Sequence, residues 1–93
     1  MLISHRVEGD ALRVTLHRNL DVTTRAAATL AIEVLVRAHK PRSLVLRIPL
    51  EEPTPATLSA VGRARRMCAS LGIPLDLTGA TPQAQRLFAA NPA

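Results

Sequence analysis

Aromatic side chains are almost missing from this 93-residue chain: Phe88 is the single one, and there is no tryptophan or tyrosine. A core must therefore be assembled from Leu, Val, Ile and Ala. Stacking of bases on aromatic faces, the usual device of single-strand nucleic-acid binders, is excluded. Cysteine occurs once, at Cys68. No internal disulfide can form, which fits a reducing cytoplasm. Four glycines leave little material for a phosphate-cradling loop, and no G-x-S-x-G, P-loop or G-x-G-x-x-G pattern occurs. No run approaches the roughly 18 apolar residues of a membrane span. The opening residues, Met1-Leu-Ile-Ser-His-Arg6, lack the apolar centre of a signal peptide.

What is present is an ordinary globular composition, 47% hydrophobic, and a length that suits one domain over residues 1–93. The net charge of +5 comes from basic residues scattered between Arg6 and Arg86, with one cluster at Arg63, Arg65 and Arg66. No nucleic-acid-binding motif accompanies them, so a solvated helix face is expected and no nucleic-acid partner.

Periodicity divides the chain into seven elements. Leu2 to Val7 reads as a first strand, at an edge. Glu8-Gly9-Asp10 is a turn, and Ala11 to His17 alternates with Leu12, Val14 and Leu16 on one face, completing a hairpin. From Thr23 to His39 the spacing is helical. Ala27, Leu30, Ala31, Val34, Leu35 and Ala38 form the expected core-facing stripe, and Ile32 and Val36 fall off it, either under a loop or toward a partner. Pro41 stops that helix. Ser43 to Ile48 is nearly all apolar, as in a central strand covered on both faces and parallel to its predecessor. A second helix spans Pro55 to Leu71, with Leu58, Val61, Ala64, Cys68 and Leu71 inward and Gly72 as its left-handed end. Ile73 to Leu77 is a short strand, and Thr81-Pro82 opens a last helix through Ala84, Leu87 and Phe88. The order β-β-α-β-α-β-α predicts an α/β domain with a central mixed sheet of about four strands flanked by helices.

The reactive residue types form no enzyme site. His5, His17 and His39 sit in three different elements without metal-ligand spacing; His5 and His17 are at most cross-strand neighbours on the hairpin. Cys68 lies in an apolar stripe and reads as a small hydrophobe. Glu51 and Glu52 are adjacent, so in an extended segment they point apart, which suits no paired-carboxylate mechanism. No enzymatic activity, metal or cofactor is expected. Thr54 followed by Pro55 reads as a helix N-cap and first helical residue, which puts Thr57 inside the first turn. Asp21, Thr23 or Thr24 caps the preceding helix.

Four stretches together resemble the STAS domain family of bacterial anti-sigma factor antagonists. Leu20-Asp21-Val22-Thr23-Thr24 is similar to its "GELD-x-x-T", with Asp21 on the aspartate and Thr24 on the threonine; His17-Arg-Asn departs from the glycine-rich lead-in. Ser43-Leu-Val-Leu-Arg-Ile48 resembles the "vvLDLs" strand, with Arg47 where aspartate or asparagine is common. Leu71 to Leu77 is similar to "xGxxLxL", and Pro82 to Phe88 to "p-x-v-x-r-l-l/f". The resemblance covers nearly the whole chain.

In the family, a loop reading about "D-S-S-G-L" enters the second helix, and its serine is phosphorylated by a partner anti-sigma kinase. Aligning Leu58 with the motif's leucine sets Thr54 on the aspartate, Pro55 on the first serine, Ala56 on the phosphoacceptor and Thr57 on the glycine. A shifted alignment makes Thr57 the acceptor. The resemblance implies a non-enzymatic, cytoplasmic module that binds an anti-sigma factor or histidine-kinase-like switch protein. Asp21, Thr24, Glu51, Glu52, Thr54, Ala56 and Thr57 form its contact region, and its phosphoswitch is lost. An alternative role within the same family is a regulatory subunit of a membrane transport ATPase, where the positive balance would face an acidic partner or lipid head groups. A homodimer is compatible with either role.

Overall fold

Alternation at Leu12, Val14 and Leu16 gives a strand one buried face, and the other elements assemble on that face. The computed structural model describes residues 2–90. Its elements are β1 (Ile3–Glu8), β2 (Ala11–Leu16), α1 (Arg25–His39), β3 (Ser43–Arg47), α2 (Pro55–Leu71), β4 (Leu75–Thr78) and α3 (Pro82–Ala90). The expected order and fold class are observed. Boundaries shift by one or two residues, most at β4 and at the start of α1.

The four strands lie in chain order, β1-β2-β3-β4. β1 and β2 form the hairpin, while β2–β3 and β3–β4 are parallel. Two right-handed crossovers in the same direction, β2-α1-β3 and β3-α2-β4, must put both helices on one face of the sheet. The burial agrees. Leu12, Val14, Leu16, Leu44, Leu46 and Ile48 are buried with residues from all three helices, including Val61, Ala64, Cys68, Ala84 and Phe88. The opposite face carries Arg6, Glu8, Arg13, Arg47 and Asp76, all exposed, as the strand registers require.

The expectation that β3 is covered on both faces is therefore wrong. Its pattern alternates, with Val45 half-buried and Arg47 exposed on the open side.

The stripe on α1 also differs from expectation. Ala28, Ile32 and Val36, spaced by four, face the core; Leu35 is half-buried, and Leu30 and Val34 are 61% and 55% exposed. Alanines fill much of this helix, so two apolar stripes satisfy helical spacing. The one with the small Ala28 and the branched Ile32 and Val36 lies on the sheet. On α2 the expected stripe is right except at its end: Leu71 is 45% exposed, where Gly72 (φ 71°) turns the chain away and donates to the last carbonyls.

His5 pairs with Val14 in the ladder and its ring lies 5.9 Å from that of His39, so it is not the neighbour of His17. His17 instead meets the Ser4 hydroxyl at 2.7 Å. Cys68 is buried, and burial pushes its thiol above its ordinary pKa, as for a core hydrophobe. Among the described residues, no helix is long and apolar enough to cross a membrane.

Candidate partner-binding site

Parallel neighbours β2 and β3 end side by side, so the chain leaves both at one end of the sheet and starts both α1 and α2 there. Residues 17–24 and 48–54 are these two connections. Most of the candidate residues lie on them.

Asp21 begins the first. Its Oδ1 accepts from the backbone N–H groups of Thr23 and Thr24, both at 2.9 Å, and from their hydroxyls at 2.6 and 3.0 Å. Thr24 Oγ1 accepts in return from the Asp21 N–H at 2.9 Å. Asp21 also takes the first helical bond, from Arg25 N–H to its carbonyl at 3.0 Å. This reciprocal pattern is a capping box, with Asp21 as the cap and Thr24 three residues on. Thr24 immediately precedes the regular helix but makes no side-chain cap of its own, and its dihedrals (φ −100°, ψ −15°) are already helical. The D-x-x-T pattern thus has a local physical use.

The Thr23 hydroxyl, with the Thr24 N–H and hydroxyl, holds the Asp21 carboxyl at a pKa of about 2. The group is exposed and ionised at neutral pH. An unfolded aspartate titrates near 4, so the fold favours the charged form. The resulting stabilisation is complete above about pH 4 and is lost as pH falls to about 2. Thermal midpoints of the wild type and Asp21→Asn, compared between pH 6 and pH 2, are expected to converge on acidification. A gap that stays constant would contradict this cap.

The second connection is bolted to the first by Asn19, Thr54 and Thr57. Thr54 is extended (φ −71°, ψ 161°) and caps α2 by accepting from the Thr57 N–H at 3.2 Å, with Pro55 as the first helical residue. Its hydroxyl donates to the Leu20 carbonyl at 2.7 Å. The Thr57 hydroxyl donates to Asn19 Oδ1 and accepts from the Leu20 N–H, both at 2.9 Å. Asn19 Oδ1 also accepts from the Thr54 N–H, and Asn19 Nδ2 donates to the Glu52 carbonyl, again at 2.9 Å each. Each hydroxyl proton has a carbonyl-type acceptor, so the 3.0 Å contact between the two threonine oxygens needs no proton of its own.

Thr57 is 0% exposed. Its hydroxyl is enclosed by this junction and is accessible neither to a partner nor to a kinase, which removes it from the contact surface and as a substitute acceptor. Asn19 was absent from the expected site. Its signal, a short amide just ahead of Leu20-Asp21, is no different from that of any turn residue.

What remains on the surface is an edge with three carboxylates, flanked by the exposed Arg18 and Arg25. Asp21, Glu51 and Glu52 are exposed, and Thr24, Thr54 and Ala56 are partly so. Two helix N-termini open onto it, and their partial positive charge favours these carboxylates. Val22 adds an apolar side chain 83% exposed. Among the described residues no cluster of His, Cys, Asp and Glu could hold a metal. No family model and no curated protein matches the chain.

Proposed function

We propose that this chain is a non-enzymatic interaction domain of the STAS type. It binds an anti-sigma factor or histidine-kinase-like switch protein through the 48–54 connection and the first turn of α2. One observation carries the reading. The Asn19–Thr54–Thr57 junction fixes Asp21, Glu51, Glu52 and Ala56 on a single pre-ordered edge, so a partner need not order the loop on binding. The seat that the motif gives to the phosphoacceptor holds Ala56, which has no hydroxyl. Glu51 and Glu52 supply fixed negative charge beside it.

Binding of the cognate anti-sigma kinase tests this reading. Calorimetric titration is expected to give a complex that Glu51→Lys with Glu52→Lys weakens at least tenfold, while circular dichroism stays unchanged. Equal affinity for wild type and variant, or no complex with the kinase, would reject the reading.

A further inference from the structure

β1 and β4 are the outer strands of the sheet, and each leaves a row of backbone N–H and C=O groups without a ladder partner. The two edges differ. β4 has four residues, follows Pro74, and ends next to Gly79 in a left-handed conformation (φ 76°). β1 has six residues, Ile-Ser-His-Arg-Val-Glu, without proline or glycine. Among the described residues nothing pairs with its outer side.

The ladder decides which groups point outward. The His17 N–H donates to the Leu2 carbonyl at 2.9 Å. The two-residue Gly9-Asp10 turn makes Glu8 and Ala11 the closing hydrogen-bonded pair. Even-numbered residues of β1 therefore bond to β2, and the N–H and C=O groups of Ile3, His5 and Val7 face away from it.

We propose that this edge pairs antiparallel with β1 of a second copy of the chain, joining two sheets into one. In such a pair, residues of the same bonding type must face each other, so odd positions meet odd ones. Two registers then give five facing pairs each. One centres on Arg6 and sets two arginines directly opposite, which is unfavourable. The other centres on His5. It sets His5 against His5, a pair that unlike two arginines need not be charged, Ile3 against Val7 of the second copy twice, and Ser4 against Arg6 twice, with the outward groups of Ile3, His5 and Val7 all bonded. Ile3 and Val7 are on the helix side of the sheet, and Val7 is 49% exposed. The pairing covers that apolar surface with apolar surface. A second copy is the occupant proposed because its own Val7 and Ile3 supply the apolar side chains that this edge needs opposite Ile3 and Val7. The two-fold axis stands perpendicular to the sheet, so both helix layers remain on one side and the edges carrying Asp21, Glu51 and Glu52 stay free.

Sedimentation velocity at pH 8, across a wide concentration range, is expected to show the mass rise from 10.0 kDa toward twice that value. Val7→Pro removes one outward N–H and leaves every bond from β1 to β2 in place. It is expected to raise the dimer dissociation constant at least tenfold without lowering the thermal midpoint at concentrations where both chains are monomeric. Leu30→Asp, on the exposed face of α1, is expected to leave the dimer intact. Hydrogen exchange on the unmodified chain gives a second readout: the Ile3, His5 and Val7 amides gain protection as concentration rises, and those of Ser4, Arg6 and Glu8 are protected throughout. A chain monomeric at all concentrations, or a dimer indifferent to Val7→Pro, overturns the proposal. So does a monomer whose binding to a different protein is what Val7→Pro weakens.

Discussion

Replacing Thr57 with valine is expected to destabilise the fold by about 1–3 kcal/mol, the cost of stranding a buried polar group. The two side chains have nearly the same shape, so no cavity opens. The loss is chemical. The N–H of Leu20, a residue only 2% exposed, is left without an acceptor, and Asn19 Oδ1 loses one of its two donors. Urea unfolding should show a lower midpoint with an unchanged slope. Because Asn19 and Thr57 serve the same junction, Asn19→Ala and Thr57→Val should together cost less than their sum, by about 0.5 kcal/mol or more. Strict additivity would mean that the two connections are held independently. The double variant should also bind the proposed partner more weakly, although Thr57 is buried, because the connection that carries Glu51 and Glu52 is anchored only by the Thr54 hydroxyl.

Much of this architecture was legible in the sequence. The turn at Gly9-Asp10, the stops at Pro41 and Gly72, and the Thr54-Pro55 cap act locally, and each is encoded by the residues that perform it. The sequence is less informative where the choice is made by tertiary packing. On α1, two apolar stripes satisfy helical spacing, and only the path of the crossover over β2 and β3 selects Ala28, Ile32 and Val36. On β3, a run of apolar residues suggested burial on both faces, but consecutive right-handed crossovers leave one face open, with Val45 and Arg47 on it. The junction was the hardest part to foresee. Its bonds between the two connections join residues 33 to 38 apart in sequence, and no local pattern distinguishes Asn19 from other turn residues or marks Thr57 as enclosed. "LEEPTPATLSAVG", Leu50 to Gly62, reads as an unusual proline-rich start to a helix. In the structure its two threonines fasten that helix to the preceding connection, and its glutamates stay outside.

The second large effect concerns phosphoryl transfer, and it is all-or-none. A kinase needs a hydroxyl that can reach its nucleotide. At position 57 the hydroxyl is enclosed, and freeing it means breaking its bonds to Leu20 and Asn19, at roughly 1 kcal/mol net for each. Thr54 commits its own hydroxyl to the Leu20 carbonyl. At position 56 the side chain is partly exposed in the first turn of α2, where a helix N-terminus favours added phosphate, with Glu51 and Glu52 partly opposing it. Only the oxygen is missing. Ala56→Ser supplies one at a side chain that takes no part in the junction.

Intact mass spectrometry after incubation with the proposed partner, an anti-sigma kinase, and ATP therefore tests the account most directly. The wild type is predicted to keep its mass, and Ala56→Ser to gain one phosphoryl group at position 56. A wild type phosphorylated at Thr57, or an Ala56→Ser chain left unmodified, would contradict the account.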